Sequence, residues 1–401
     1  MFQVKCFHKT LILLVSFFLT PSAFSADQKC NYPSKVQDKI LLGTTTALTG
    51  PAKTLGQSMV RGMQTHLNEI NATGGISGRL FKLMALDDGY HQQSAHTQMM
   101  KLINDYQVLA VVGNVGTPTA EATVPLANEC KTPLIGAFTG ASLLRKPVPD
   151  RYIINYRASY EEEMNKIITT LLNNDIHASR IAFFTQEDSY GKAGYDAAIK
   201  ALKQQGIKNT SQLAQGRYEA NTLDIRQALI TIINARPQPK AIIMIGTYGP
   251  SAKFIRIAQK ILPNSIFISI SFVGAHALAR ELDGCCDNVY VSQVVPPLDA
   301  DFPAVRNFKH SLERFYPDKD PDYVSFEGYL VAKFVTEAIR KIKAPIDPES
   351  LIDTIESVGQ FDIGIGETLS YSKNEHQGNH HVWLTRINAK KVIKSDWKSL
   401  H

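Results

Sequence analysis

The sequence predicts an α/β protein of two domains of comparable size, each a parallel sheet covered by helices, with one ligand cleft between them. Three observations carry this expectation. A chain of 401 residues is too long for one ordinary core. Short apolar runs without alternation, at 108–112, 181–184 and 242–245, recur between helical segments, as expected of parallel strands covered on both faces. Turns rich in glycine, hydroxyls and aromatics follow such runs in both halves, at the strand ends where open α/β sheets bind ligands.

Residues 1–25 stand apart. Lys5 and Lys9 precede an apolar run at 11–19, and Ala23-Phe24-Ser25 offers small residues for cleavage, so a secretory signal peptide is expected and the mature chain is placed in the periplasm. The run is too short to span a bilayer comfortably, and no later stretch approaches that length. Hydrophobic content of 44% and charged content of 20% fit a globular protein. The formal charge of +6, less two once the leader is removed, includes no basic cluster interleaved with aromatics, so nucleic acid is not an expected partner. Cys30, Cys130, Cys285 and Cys286 remain in an oxidising compartment. Cys30 with Cys130 is the favoured pair, and Cys285 and Cys286 stay open.

In order along the mature chain, 40–46 reads as a strand, and Met59, Val60, Met63, Leu67 and Ile70 follow helical spacing. Gly74-Gly75-Ile76-Ser77-Gly78 follows that helix instead of a strand, so it is a tight turn and no dinucleotide site; no cofactor is expected. A strand at 81–86 ends in Asp87-Asp88, whose side chains diverge and suit capping better than a shared ion. After a helix at 91–105 comes the stretch that organises the rest. The strand 108–112 turns through Gly113 to Gly116 into a helix opened by Thr117, as capping hydroxyl, and Pro118. Unpaired N–H groups and partial positive charge at a helix start suit a carboxylate or phosphate. A second strand at 133–138 ends in Thr139-Gly140-Ala141-Ser142, so two polar turns line one crevice.

A strand at 151–159 leads to Tyr160 and to Glu161, Glu162 and Glu163, acids that suit the positive end of a helix reaching 173. The second series follows: strand 181–184, helix 191–205, and strands 242–245 and 266–270. Their ends carry Tyr190, Tyr248 and the run Ser271-Phe272-Val273-Gly274. Residues 289–295 form a strand that stops at Pro296-Pro297, and helices are expected at 302–316, 323–342 and 348–358, then strands at 368–371 and 380–387. His380 and His381 would face opposite sides of a strand, so they and His376 are not read as a metal site. Neither G-x-S-x-G nor H-E-x-x-H occurs, and no enzyme is expected.

The run TALTGPAKTLGQSMVRGMQTHLNEINATGGISGRLFKLMALDD, with VVGNVGTPT, PLIGAFTGASLL, EDSYGKAGY and IGTYGPSA, resembles the leucine/isoleucine/valine-binding proteins of periplasmic ABC importers, which have the type I periplasmic binding fold. The resemblance covers nearly all of the mature chain. It implies two Rossmann-like lobes joined by three crossings, near Ser159, Val294 and Gly366. The first lobe would be 36–158 plus 295–366 and the second 159–294 plus 367–401. It implies a ligand carboxylate held at Thr117 and at the turn Phe138, Thr139 and Gly140, with Tyr190 and Tyr248 reaching in from the second lobe and Tyr160 beside them. The acid that pairs with an amino-acid ammonium in that family corresponds here to Val273, and Leu55 replaces an aromatic residue. A buried ammonium without its carboxylate is costly, so an apolar or aromatic carboxylate competes with an amino acid as ligand. Glu161 or Asp188 would have to substitute from other places. The implied partners are this ligand and the membrane permease subunits of an importer; the alternative is a periplasmic sensor of the same fold reporting to a receptor.

Overall fold

The computed structural model describes Cys30, residues 38–343 and 345–398, and Leu400. The expected leader at 1–25 lies outside the described residues. The first sheet is built from β1 (Lys39–Thr46), β2 (Leu80–Asp87), β3 (Ala110–Val112), β4 (Leu134–Ile135) and β5 (Ile153–Ile154), all parallel, in the order β2-β1-β3-β4-β5. Helices α1 (Lys53–Ala72), α2 (Gln92–Asn104) and α3 (Thr117–Glu129) connect its strands.

The chain then enters the second lobe through α4 (Tyr160–Asn173). There β6 (Ile181–Gln186), β7 (Gln215–Tyr218), β8 (Ala241–Ile245), β9 (Ile266–Ser269) and β10 (Val289–Gln293) alternate with α5 (Ser189–Gln204), α6 (Arg226–Ile233), α7 (Tyr248–Ile261) and α8 (Ala275–Leu282). Every residue of β8 is buried, which is why its AIIMI run shows no alternation. Each such isoleucine adds about 1.5–3 kcal/mol of apolar burial.

Next α9 (Pro303–Phe315), α10 (Tyr323–Arg340) and α11 (Pro348–Val358) return to the first lobe, where α10 lies along α1. A hairpin of β11 (Gln360–Asp362) and β12 (Thr368–Ser370) follows. Finally β13 (Trp383–Asn388) and β14 (Lys391–Ser395) join the second sheet, in the order β14-β13-β10-β9-β8-β6-β7. Because β13 runs antiparallel to β10, and β14 to β13, this sheet is mixed and departs from the all-parallel expectation.

The polypeptide passes between the sheets three times, and the passages lie side by side. Ala158, Val294 and Val382 form one small apolar cluster. Two of the passages run through Ala158 and Val294. The third does not coincide with Gly366, which packs against Phe302 in the first lobe. Tyr371, just after β12, stacks on Phe334 of α10 at 4.8 Å, and Asn155 N donates to His376 O at 2.7 Å. Residues 367–376 therefore keep company with the first sheet, and the chain crosses at 377–382, where Asn379 N donates to Tyr156 O and Asn379 Nδ2 to Val294 O. The Gly-Ile-Gly string at 364–366 makes a loop within the lobe, which is why it misplaces the crossing.

Both cysteine pairs are joined. Cys30 bonds to Cys130 with Cα atoms 5.3 Å apart, and Cys285 bonds to its neighbour Cys286 between α8 and β10. Asp87 and Asp88 serve as caps: Asp87 accepts from Leu48 N, Thr49 and Gly89 N, and Asp88 from Thr45 Oγ1 and Tyr90 N. The three C-terminal histidines have separate partners: His376 meets Glu356, His380 meets Glu162 and His381 meets Glu367.

Candidate functional site

The two polar turns predicted from sequence meet at the start of α3. Phe138 N donates to Asn114 O at 2.6 Å, and Val115 pairs with Phe138 as a parallel bridge, so the turn after β4 is knitted to the turn after β3. Thr117 does not cap the helix as expected. It is the first helical residue, Gly116 at φ 116° takes the cap position, and no side chain caps the end. A Cβ at Gly116 would stand 2.6 Å from Tyr90 Cε2, so only glycine allows both the turn and the approach of that ring. Freed from capping, Thr117 Oγ1 lies 2.7 Å from Thr139 Oγ1, both fully buried. Thr139 Oγ1 donates to Tyr160 Oη at 3.3 Å. Gly140 O accepts from Tyr160 N at 2.8 Å, and a Cβ on Gly140 would lie 2.5 Å from the Tyr160 ring. Thr117, Phe138, Thr139, Gly140 and Tyr160 thus form one constellation.

Aromatic rings from both lobes enclose it. Phe272, in the 3-10 turn Ser271–Val273 after β9, lies 4.4 Å from Tyr190, 5.4 Å from Phe138 and 6.2 Å from Tyr90, by ring centroids. Tyr160 and Tyr190 are 5.9 Å apart. Tyr190, at the start of α5, is fully buried and its hydroxyl has no hydrogen-bond partner; burial raises its pKa well above the usual phenol value. Val273 is also fully buried, and at the next residue Gly274 packs on Leu55 across the cleft. Tyr248 is not part of this aromatic box. It stands at the rim, where its hydroxyl donates to Pro51 O at 2.5 Å and accepts from Thr54 N at 3.4 Å, closing one lobe on the other.

A charged base lies beneath the box. Arg157, fully buried in the first crossing, has its Cζ 4.6 Å above the Phe138 ring, and its Nη2 donates to Ser271 Oγ. Glu163 lies 3.9 Å from Nη2 and Glu327 of α10 lies 3.6 Å from Nε, while Nε and Nη1 have no hydrogen-bond partner. Glu163 is fully engaged, accepting from Ser271 N, Ser271 Oγ and Ser292 Oγ. Burial holds Glu327 up at a pKa of about 7 despite Arg157. Arg145 fastens this base to the turn, donating to Thr139 O, Ala141 O and Arg157 O; burial brings its pKa down to about 10.

The two carboxylates considered as substitutes are engaged with other partners. Asp188 caps α5 through Tyr190 N and Gly191 N and also accepts from Gln186, and Glu161 pairs with Lys200 on the surface. Tyr90, Arg157, Ser271 and Glu327 were not singled out from sequence. A lone arginine closing an apolar strand was the available signal for the second of these, since a buried guanidinium requires partners.

Residues 39–391 match the family model described as periplasmic binding protein. The chain belongs to the periplasmic binding protein family. A possible leucine/isoleucine/valine-binding protein from Rhodopirellula baltica is 40% identical with a TM-score of 0.87, covering 92% of this chain and 100% of that one. Leu/Ile/Val-binding protein homolog 7 of Brucella abortus is 22% identical over 85% of this chain and 86% of its own length. The branched-chain amino acid transporter substrate-binding protein of Streptococcus pneumoniae, solved in complex with isoleucine, shares the fold at a TM-score of 0.75 and 19% identity, over 88% of this chain and 97% of that one. As a member of this family the chain has the type I periplasmic binding fold and is a solute-binding protein, not an enzyme.

Proposed function

We propose that this member of the family is the solute-binding component of an ABC importer, secreted through its leader, which closes on a small carboxylate-bearing ligand and presents it to membrane permease subunits. The ligand is an amino acid or an aromatic or aliphatic acid. The observation that carries the reading is the Thr117–Thr139 hydroxyl pair at the start of a thirteen-residue helix, enclosed by Tyr160, Tyr190 and Phe272 from across the cleft. Those hydroxyls and the helix start supply donors for an anion, and the rings exclude water so that each bond counts. The 40% identical Rhodopirellula protein, named as a possible leucine/isoleucine/valine-binding protein, supports a small carboxylate-bearing ligand.

Native mass spectrometry of the protein taken from the periplasm should reveal a bound carboxylate, and calorimetry would then give its affinity. Thr117→Val should weaken that affinity by about 1–3 kcal/mol, because an acceptor loses its donor inside a closed site. Unchanged affinity would remove the carboxylate from this position.

A further inference from the structure

The charged group stacked against the aromatic box is the Arg157 guanidinium. Among the described residues, the carboxylates near it are engaged: Glu163 by Ser271 and Ser292, Asp188 by Gln186 and the backbone of α5. Glu327 lies 3.6 Å from Arg157 Nε, its Oε1 without a hydrogen bond. From the second lobe the box receives Phe272, Val273 and Tyr190, none of which carries a carboxylate for an ammonium. Several donors stand unused. Arg157 Nε and Nη1 and the Tyr190 hydroxyl are buried without hydrogen bonds. The guanidinium lies on the ring of Phe138, the residue directly before Thr139, so it is one ring away from the turn assigned to the carboxylate.

We propose that the cleft selects an apolar or aromatic acid whose carboxylate neighbours an acceptor oxygen instead of an ammonium, a 2-oxo acid, with Arg157 and Tyr190 donating to that oxygen. The inference rests on the carboxylate seat at Thr117 and Thr139. An amino acid of the same shape would bring an ammonium against the like charge and unpaired N–H groups of Arg157 in a buried site. The oxo oxygen at that place satisfies them.

The test is calorimetry on matched pairs with the full-length mature protein: phenylpyruvate against phenylalanine, and 4-methyl-2-oxopentanoate against leucine. The expected result is that at least one oxo acid binds, and binds tenfold or more tighter than its amino acid. Tyr190→Phe keeps the ring and its packing, and should lower affinity for the bound oxo acid about fivefold or more. For 3-phenylpropanoate, which lacks the oxo oxygen, the same variant should change little. Tighter binding of either amino acid, or an equal loss for both acids in Tyr190→Phe, overturns the inference. Glu327→Gln then tells whether that carboxyl receives the ammonium. Binding of none of the four overturns it as well, while a different carboxylate found by native mass spectrometry would leave the carboxylate seat standing.

Discussion

Glu327 approaches Arg157 without a hydrogen bond, and burial raises its pKa from 4.5 to about 7, with Arg157 and Arg145 opposing the shift and Glu163 reinforcing it. Because the folded value lies above the unfolded one, the folded protein keeps a proton that the unfolded chain releases. Stability from this group is therefore full below about pH 4.5, falls as pH rises toward 7 and is lost above it. Glu327→Gln cannot ionise, so thermal unfolding of variant and parent should diverge in the variant's favour between pH 5 and 8, by on the order of 1–3 kcal/mol. A constant difference across that range would show that Glu327 stays ionised throughout. Residues like this one mark where sequence reading stops. Thr117, Thr139 and Gly140 could be picked out together because each follows an apolar strand by a few residues. Arg157, Ser271 and Glu327 come together only when the two lobes and α10 meet, and Arg157 and Ser271 are 114 residues apart.

The joint between α1 and α10 depends on Asp322. Its carboxylate caps α10 through Ser325 N at 2.9 Å and also accepts from Ser58 Oγ and Arg61 Nη2 on α1, the latter at 2.7 Å. Asp322→Ala removes the cap and leaves Arg61 with Ser58 Oγ but no carboxylate, so it should cost about 1–3 kcal/mol in denaturant unfolding. A loss below a few tenths would mean that water replaces the carboxylate at no cost. The Cys30–Cys130 bridge closes a separation of 100 residues, and Cys130→Ser should lower stability by about 2–4 kcal/mol under oxidising conditions. At this scale the helix at 348–358 and the cores of the buried strands follow from periodicity and capping. The strand Gln215–Tyr218, the helix Arg226–Ile233 and the edge strand Lys391–Ser395 carry weak patterns, since each is short and partly exposed and takes its form from its neighbours.

For the whole molecule, enclosure of a ligand requires that the closed form offer contacts the open form lacks. Tyr248 supplies such a contact from the rim without lining the aromatic box. Tyr248→Phe should therefore raise the dissociation rate of the bound ligand several-fold, an affinity loss of about 0.5–1.5 kcal/mol, while leaving preference among ligands as it was. Stopped-flow measurements would check both, and a change in preference would move Tyr248 from rim to pocket. The resemblance to the family made two lobes and a cleft legible, but it placed the third passage at Gly366. Contacts among residues far apart in sequence put it at 377–382 instead.

The side-by-side cluster of Ala158, Val294 and Val382 acts as the spine of a book. Pages bound along one edge turn about it and do not slide, so displacement on opening grows with distance from the binding. Arg157 directly precedes Ala158 of that edge, whereas Tyr248 joins the two covers through Pro51 and Thr54.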